Sequence, residues 1–387
     1  MMCLESGGDM EKIKVLHIIK SMDIGGIESY IINMHRHINR DKYEFDYLMW
    51  NEDNSYYEDE IKSLGGQIFK IKFSKNPLMN IIRFYTFFKN SDYDVIHSHS
   101  LFYSGIFAYA GYMAKTKIFI SHMHSKSDNR VDNVVRKTYK KLAKYLMKKY
   151  STYCCACSYE AAIYGYDKIN KKVIILNDYI DVDKYTNVFK ESCDKIASEY
   201  DLYKQDIVIG NVGRLSIEKN QKFIIELVNK IVTEQSINIK CLFIGDGPEK
   251  DDLMERITSL GLNDYFSFVG SVSNVNEYLK CMDIFIFPSL YEGFGMALLE
   301  AQATGLYCLA SNQVPKNTDM ELGLVKYLPL NDIETWIKEI TKFHKKDLPS
   351  KTIKNQICKK GFDISTSLSI MESIYKGEYC IDEIKNI

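Results

Sequence analysis

Short apolar runs alternate with amphipathic stretches over most of the chain. In the first half, runs typical of buried parallel strands occur at 15–19, 45–50, 67–71, 95–97, 117–120, 153–156 and 173–176. Helical patterns separate these runs, so they predict βαβ units joined by right-handed crossovers. We therefore expect this half of the chain to form a doubly wound parallel sheet with helices on both faces.

The alternation of strands and helices starts again after about residue 185. Further apolar runs lie at 207–211, 241–244, 265–269, 283–287 and 307–309. This restart predicts two α/β domains, residues 12–182 and 183–363, with residues 178–204 as the linker between them. Helical patterns finish the chain after residue 331, and residues 1–11 are interpreted as an unstructured lead-in, with Met10 as a second candidate start.

Composition and charge favour ordinary globular domains over several other classes. The 387 residues are 46% hydrophobic and 26% charged, and the chain is long for one core. A formal net charge of −1 argues against a nucleic-acid-binding protein, which normally carries a basic excess. The ten cysteines lack the spacing of metal ligands, so we expect no metal site and a cytoplasmic, reducing environment. The longest weakly polar stretch, 101–114, is too short to span a bilayer.

Residues 283–305 predict a strand, a glycine-bearing loop and a helix. The glycines of the loop let a ligand approach the backbone, and free N–H groups at the helix start favour an anion. Glu292 in the loop and Glu300 in the second helical turn could accept hydroxyls of a sugar and a ribose on either side of a diphosphate. A second interpretation stays open, in which Glu292 caps the helix and Glu300 is an ordinary exposed residue.

A second glycine-bearing turn, residues 210–220, carries two cations directly after a predicted strand. Arg214 follows Gly213 and can bind phosphate oxygens through its guanidinium fork, and Lys219 can bind them as a point charge. Two surface cations near a helix start would oppose the helix dipole, and a bound anion removes that conflict. The pattern therefore predicts a phosphate-binding loop.

The segment from Glu292 to Glu300 resembles the E-x7-E signature of retaining GT-B glycosyltransferases of family 4, which take sugars from nucleotide sugars. The match covers the whole motif, including the glycines and the intervening phenylalanine. The resemblance implies that Glu292 contacts the donor sugar and that Glu300 holds the ribose. It also implies that the loop amides of Gly293, Phe294 and Gly295 contact the sugar and the phosphates.

The turn at 210–220 is similar to the G-R-x-x-x-x-K motif of the same family. The resemblance implies that Gly213, Arg214 and Lys219 hold the departing nucleoside diphosphate, which would make a catalytic metal unnecessary. Gly270 ends another predicted strand, and in the family the residues after it, here from Ser271, meet the nucleobase. Uridine is taken as the base because it is frequent in the family.

The first domain carries weaker signals. Gly25 and Gly26 form a turn before a helix. The turn is either an ordinary connection between a strand and a helix or, as the resemblance implies, a loop over the diphosphate and the acceptor. His122 and His124 follow a predicted strand, and the resemblance implies that one of them contacts the substrate. Their spacing does not decide which, and a structural role for either histidine is the alternative.

The resemblance extends over nearly the whole chain and implies a GT-B fold, in which two Rossmann-like domains face each other across a cleft. The last helix, within 364–387, is expected to cross back onto the first domain. The implied activity is transfer of a hexose to a lipid-linked saccharide during capsule, exopolysaccharide or lipopolysaccharide synthesis. Two other classes stay open: a GT-B sugar-nucleotide epimerase or phosphorylase, and a non-catalytic nucleotide-sugar-binding partner of another transferase.

A basic segment stands out at residues 130–150, which contain eight Lys or Arg residues and one Asp. Helical spacing predicts an apolar stripe on one face and lysines on the opposite and flanking faces. The predicted stripe is Val131, Val135, Tyr139, Leu142 and Leu146, and the lysines are Lys137, Lys140, Lys141, Lys144 and Lys148. This helix is interpreted either as a contact with anionic lipid on the inner face of the cytoplasmic membrane or as an ordinary surface helix.

Overall fold

The computed structural model describes residues 11–74, 76–125, 128, 133–167, 173–235, 237–344 and 347–379. Residues 1–10 of the expected lead-in and residues 130–132 of the basic segment, with Val131 of its predicted stripe, lie outside the described residues. The chain divides into two compact units. The first contains the residues up to Tyr179 and those from Ile364 onward, and the second is Ile180–Asp363.

Thirteen strands are assigned within the described residues, and twelve of them coincide with predicted apolar runs. They are β1 (Ile13–Ile19), β2 (Tyr43–Met49), β3 (Ile68–Lys70), β4 (Val95–Ser98), β5 (Ile118–Met123), β6 (Tyr153–Ala156), β7 (Val173–Ile175), β8 (Ile207–Val212), β9 (Ile239–Ile244), β10 (Phe266–Gly270), β11 (Ile284–Phe287), β12 (Tyr307–Ser311) and β13 (Val325–Leu328).

Helices follow almost every strand. They are α1 (Gly26–His37), α2 (Glu58–Ser63), α3 (Pro77–Lys89), α4 (Ser104–Ala114), α5 (Val134–Tyr150), α6 (Tyr159–Tyr166), α7 (Val182–Thr186), α8 (Lys190–Glu199), α9 (Gln221–Glu234), α10 (Lys250–Ser259), α11 (Val275–Lys280), α12 (Met296–Ala303), α13 (Ile333–Thr341), α14 (Ser350–Lys359) and α15 (Ile364–Tyr375). Among the helices described, none is both long enough and apolar enough to cross a bilayer.

The first unit is built on a parallel sheet in the order β3-β2-β1-β4-β5-β6-β7. Its strands are apolar on both sides because helices cover both faces, as all-parallel sheets require. Helix α15 returns to this unit and buries Leu368, Met371 and Tyr375 in the same core as α1. The strand order reverses between β1 and β4, and ligands of such sheets bind where that reversal occurs.

The second unit repeats this architecture in the order β10-β9-β8-β11-β12-β13, again with parallel pairings. The reversal here lies between β8 and β11, which are adjacent in the sheet. Their following loops therefore leave the sheet at the same edge. Those loops are the two glycine-bearing segments that the sequence singled out, 210–220 and 288–295.

The prediction that residues 178–204 are a linker is wrong. Residues 180–204 belong to the second unit, where α7 and α8 form and Val182, Tyr185, Ile196 and Leu202 are buried in its core. The helices are short and their outward faces carry Asp, Glu and Lys, so their few apolar residues were too widely spaced to indicate a core. Strand β13 was missed for a related reason, since this edge strand has only one fully buried residue.

The predicted orientation of the basic helix is also wrong. In α5 the inward face contains Lys140, Ala143 and Met147, whereas Val135 and Leu142 of the predicted apolar stripe are 78% and 56% exposed. Lys140 binds Asp128 at 3.2 Å, and Lys144 and Lys148 bind the Asp167 carboxylate at 2.7 and 2.9 Å. These acidic partners come from other segments, so they hold the lysines against the unit in a way that helical periodicity could not indicate.

Candidate active site

The turn after β8 is fixed by glycines of neighbouring strands. Gly213 has φ +152°, and its N–H donates to the carbonyl of Ile244 at the end of β9 (2.9 Å). A Cβ on Gly245 would lie 2.1 Å from the Gly213 carbonyl oxygen, so the two turns touch through their backbones. Gly245 in turn donates to the carbonyl of Gly270 at 2.8 Å. The carboxyl ends of β8, β9 and β10 thus form one continuous backbone surface.

Gly270 and Ser271 lie at the outer end of this surface. Gly270 has φ +82°, which glycine adopts without strain, and Ser271 is exposed. The carbonyl of Ser273, two residues further on, accepts a hydrogen bond from Lys184 Nζ at 3.0 Å. The segment from Ser271 therefore has its backbone held in place and its first side chain open to solvent.

The two cations of the turn have different surroundings. Arg214 is exposed, and its guanidinium has no hydrogen-bond or ion-pair partner among the described residues. Lys219 Nζ instead donates to both carboxylate oxygens of Glu292, at 2.6 and 2.9 Å, and lies 5.5 Å from the centroid of the Phe287 ring. The structure therefore brings Lys219 and Glu292 together, although they are 73 residues apart in sequence. Arg214 is left as a guanidinium that an anion can approach.

Glu292 is held from a second side by Ser289, whose hydroxyl donates to its Oε1 at 2.7 Å. The carboxylate is almost fully enclosed, with 8% of the side chain exposed. The backbone joins the two loops as well, because the N–H of Leu290 donates to the carbonyl of Glu218 at 2.8 Å. Glu292 is thus part of a fixed network between the loops. Ser289 was missed in the sequence, where only its proximity to Glu292 could have indicated this contact.

The glycines of the second loop differ in what they face. A Cβ on Gly293 would meet no atom of the protein within 4 Å, whereas Gly295 has φ +103° and precedes α12. The ring of Phe294 stacks on Phe362 with centroids 4.8 Å apart, and its carbonyl accepts the Thr318 hydroxyl. The Phe294 side chain is therefore held in the core of the unit, and the space beside Gly293 is open.

Glu300 lies in α12 and is partly buried, so it is not the exposed helix residue of the alternative interpretation. Burial raises the pKa of its carboxyl to about 7, and the hydroxyl of Tyr185 and the charge of Lys184 act in the opposite direction. Both of these partners belong to α7, in the segment predicted as a linker. The Glu300 carboxyl therefore has a pKa close to neutral pH, and the Tyr185 hydroxyl lies beside it as a hydrogen-bond donor.

In the first unit, the Gly25–Gly26 turn follows β1 at the reversal of the strand order. Gly25 precedes α1 in an extended conformation and accepts a hydrogen bond from the N–H of Ser29 at 2.9 Å. A Cβ on Gly26 would meet no protein atom within 4 Å. Burial raises the pKa of the Glu28 carboxyl, which lies against Gly25. The turn thus offers an open backbone position at a helix start.

His122 and His124 are neighbours in a cluster of five histidines. His97 Nε2 lies 3.2 Å from His122 Nδ1, and His99 bridges to His17 (3.1 Å) and to His124 (2.8 Å). The His122 side chain is buried, and that of His124 is 2% exposed, 3.8 Å from the Asp178 carboxylate. Neither imidazole lies open at the surface, so the structure does not single out one of them as the substrate contact.

The cluster lies in the interior of the unit, where burial disfavours the charged form of an imidazole. Burial lowers the pKa of His17 to about 3 and lowers the pKa of His97, His99 and His122 well below its ordinary value, with neighbouring imidazoles contributing. Sequence reasoning missed the cluster as a whole. A signal was present, since His-x-His pairs end two runs that prove to be the adjacent strands β4 and β5.

The chain matches two family descriptions that together span both units. Residues 24–183 match "Glycosyltransferase Family 4" and residues 193–357 match "Glycosyl transferases group 1". Two parallel-sheet Rossmann-like units, each with glycine-bearing turns at its strand ends, carry these matches. The protein is therefore a glycosyltransferase with the GT-B fold, built from a family 4 domain and a group 1 domain.

Its relatives include bacterial glycosyltransferases. EpsF of Bacillus subtilis is 28% identical over 370 residues, which cover 94% of this chain and 96% of EpsF. The UDP-Gal:alpha-D-GlcNAc-diphosphoundecaprenol alpha-1,3-galactosyltransferase of Escherichia coli is 24% identical over 381 residues, covering 94% of this chain and 97% of the enzyme. Among solved structures, HepE of Anabaena in complex with UDP-glucose has a TM-score of 0.71 at 18% identity, over 94% of this chain and 99% of HepE.

Proposed function

We propose that the protein is a retaining, metal-independent hexosyltransferase that uses a UDP-sugar and a lipid-linked saccharide acceptor in surface polysaccharide synthesis. The observation that carries this proposal is the loop pair of the second unit, in which Lys219 binds Glu292 while the guanidinium of Arg214 is open. The relatives support the substrates, because HepE was solved with UDP-glucose and the Escherichia coli enzyme is named for a diphosphoundecaprenol-linked acceptor.

The proposed mechanism follows from charge. Departure of the nucleoside diphosphate concentrates negative charge on its phosphates, and Arg214 and Lys219 supply two positive charges to stabilise it. Because these cations neutralise the leaving group, no metal ion is required for the transfer. The leaving phosphate takes the proton of the acceptor hydroxyl on the same face of the sugar. Glu300 accepts the ribose hydroxyls.

The donor proposal is tested by thermal denaturation with a panel of nucleotide sugars. A UDP-sugar at a hundred times its dissociation constant is expected to stabilise the protein by about 2.7 kcal/mol, because ligand binding to the folded state alone adds this free energy. The corresponding GDP- and ADP-sugars serve as controls and are expected to give smaller shifts. Release of UDP only when a saccharide acceptor is added would support transfer, whereas product formation without an acceptor would favour an epimerase.

Replacing Gly293 by alanine tests the approach of the donor to the loop backbone. The added methyl group meets no protein atom within 4 Å, so we expect the unfolding transition to be unchanged. The donor is expected to bind at least about tenfold more weakly, because the methyl group occupies the space where the sugar phosphate meets the amides. Titration of the UDP-sugar by calorimetry measures this loss. An unchanged dissociation constant would contradict the placement of the donor beside Gly293.

We further propose that the first unit binds the cytoplasmic face of an anionic membrane through α5. The outward face of this helix carries apolar side chains, Val134, Val135, Leu142 and Tyr145, which are 79%, 78%, 56% and 52% exposed. Lys137 and Lys141 flank them and have no ion-pair partner among the described residues. An apolar strip bordered by lysines is the pattern of a helix lying in a lipid interface. The corrected orientation of α5 therefore supports lipid contact through a different face from the one predicted.

Vesicle co-sedimentation tests this contact. The double variant Lys137→Glu/Lys141→Glu is expected to bind anionic vesicles at least about tenfold more weakly, since each lysine near the surface contributes about 1 kcal/mol. Lys190→Glu/Lys195→Glu on the exposed face of α8 is the matched control, because it changes the net charge equally in the second unit. The proposal would be contradicted if both double variants lost binding to anionic vesicles equally. It would also be contradicted if the wild type bound neutral and anionic vesicles equally.

A further inference from the structure

The histidine cluster of the first unit contains ring nitrogens that lack partners. His17 Nε2, His122 Nε2 and His124 Nδ1 are buried and make no hydrogen bond within the described part of the chain. Buried polar atoms are nearly always paired, because leaving one unpaired loses the hydrogen bond that it had with water. Five imidazoles packed together with three such atoms therefore require a further explanation.

The geometry of three of these histidines suits a metal ion. His99, His122 and His124 each offer a ring nitrogen, and the three nitrogens lie within 4.8 Å of one another. The closest contact is His99 Nδ1 to His124 Nε2, at 2.8 Å. A tetrahedral zinc ion with Zn–N distances of about 2.0–2.1 Å places its ligand nitrogens about 3.3 Å apart. The 2.8 Å spacing is shorter than this value and the other two are no longer than 4.8 Å, so the rings would have to rotate to bring the three nitrogens to it.

An acidic side chain stands behind one of the three ligands. The Asp178 carboxylate lies 3.8 Å from His124 Nδ1, the nitrogen opposite to the one that faces His99. Metal-binding histidines usually direct their second ring nitrogen to a carboxylate, which fixes the ring and makes it a stronger ligand. Asp178 is in position for this role after a shift of less than about 1 Å.

A second group, His17, His97 and His99, is also close enough to share an ion, but it is the weaker candidate. His17 packs against Phe45 with ring centroids 4.5 Å apart. His97 Nδ1 is already occupied by the Tyr375 hydroxyl at 3.0 Å. Among the described residues this group has no carboxylate beside a histidine, whereas the first group has Asp178 beside His124. A carboxylate in that position favours metal binding, so the first group is the stronger candidate.

We propose that His99, His122 and His124 bind one divalent transition-metal ion of the zinc class, with Asp178 orienting His124. Three imidazoles leave a fourth coordination position, which a water molecule can fill. The ligands come from the ends of β4 and β5, which explains why no metal motif is visible in the sequence. The site belongs to the first unit and is independent of the proposed metal-free transfer. Bound metal would occupy both histidines considered as substrate contacts, so the two roles exclude each other at a given moment.

Equilibrium dialysis of the full chain against Zn²⁺, followed by elemental analysis, tests the site. One zinc ion per chain is expected, with at least about hundredfold weaker binding in His122→Gln and His124→Gln and about tenfold weaker binding in Asp178→Asn. His37→Gln and His344→Gln change exposed histidines outside the cluster and are expected to bind as the wild type does. His17→Gln is expected to retain the ion. Loss in His17→Gln with retention in His122→Gln would overturn the assignment.

A measurement on the wild-type chain keeps the test independent of how the variants fold. Co²⁺ bound by three imidazoles in a four-coordinate site gives intense ligand-field absorption, whereas six-coordinate Co²⁺ on surface groups absorbs weakly. We expect intense bands that Zn²⁺ removes at one equivalent. Weak bands, or more than one equivalent of Zn²⁺ needed, would overturn the proposal. Calorimetric binding of the UDP-sugar, measured separately, reports on the second unit and remains informative in either case.

Discussion

Lys219→Ala is expected to lower kcat about a hundredfold, the largest effect on turnover of any substitution considered. The ammonium of Lys219 lies at the point where the two loops of the second unit meet, 2.6 and 2.9 Å from the Glu292 oxygens. In the proposed reaction it stabilises charge that develops only as the diphosphate leaves. Because this contact is made chiefly in the transition state, kcat and kcat/KM should fall together. Steady-state kinetics with a confirmed donor and acceptor measures both constants.

The control for this substitution is Lys222→Ala. Lys222 lies on the same stretch of chain and pairs with Glu249 at 2.8 Å, but its side chain is exposed and outside the loop pair. We expect the rate to stay within about twofold of the wild type, since exposed ion pairs contribute little. Unfolding curves of both variants separate lost catalysis from lost folding. A Lys219→Ala enzyme that folds and turns over at the wild-type rate would remove the proposed role of this lysine.

The strands and their grouping into two units could be predicted because parallel strands covered by helices are apolar on both faces. Runs of four to seven apolar residues therefore stand out wherever the sheet is central, as in β8 and β11. Edge strand β13 is Val325–Leu328, with Lys326 exposed and only Leu328 fully buried, so it has no such signature. The limit of this kind of prediction is thus the part of a sheet that has water on one side.

Contacts between distant segments could not be predicted in the same way. The loops with Arg214 and Glu292 were found from their glycines and charges, yet the direct pairing of Lys219 with Glu292 depends on β8 and β11 being neighbours. The Tyr185 hydroxyl beside Glu300 comes from a segment whose sequence looks like a linker. The orientation of α5 depends on Asp167, nineteen residues beyond Lys148. In each case a partner outside the motif determines what the motif residue does.

Glu300→Gln is expected to stabilise the second unit above pH 7 and to weaken donor binding at the same time. The folded-state pKa of about 7 lies above the reference value of 4.5, so between these values the folded state binds a proton more tightly than the unfolded state. The free energy of unfolding therefore falls as pH rises through this window. Above pH 7 the ionised Glu300 lowers the free energy of unfolding by its full amount. We expect this cost to be about 2 kcal/mol, because each unit of pKa difference corresponds to about 1.4 kcal/mol and the residue is partly open to solvent.

The chain allows this effect to be followed in one unit at a time, since its two tryptophans are Trp50 in the first unit and Trp336 in the second. In a Trp50→Phe background, the fluorescence of the buried Trp336 reports unfolding of the second unit alone. Urea unfolding at pH 5 and pH 8 measures the free energy of unfolding of the Glu300→Gln variant and of its parent. The value for the variant should increase relative to that for the parent as pH rises. Glu255→Gln on the exposed face of α10 is the control, for which the difference from the parent should not change with pH.

The same substitution should weaken donor binding about tenfold or more at pH 8, because an amide offers one acceptor oxygen where the carboxylate offers two charged ones. In the parent, donor affinity should fall as pH drops below 7 and the carboxyl becomes protonated. The variant should be insensitive over that range, since glutamine does not titrate. A stabilised variant that keeps the parent's affinity at pH 8 would show that Glu300 is buried for structural reasons and does not hold the ribose. Weaker binding without the pH-dependent gain in stability would instead contradict the raised pKa while leaving the ribose contact in place.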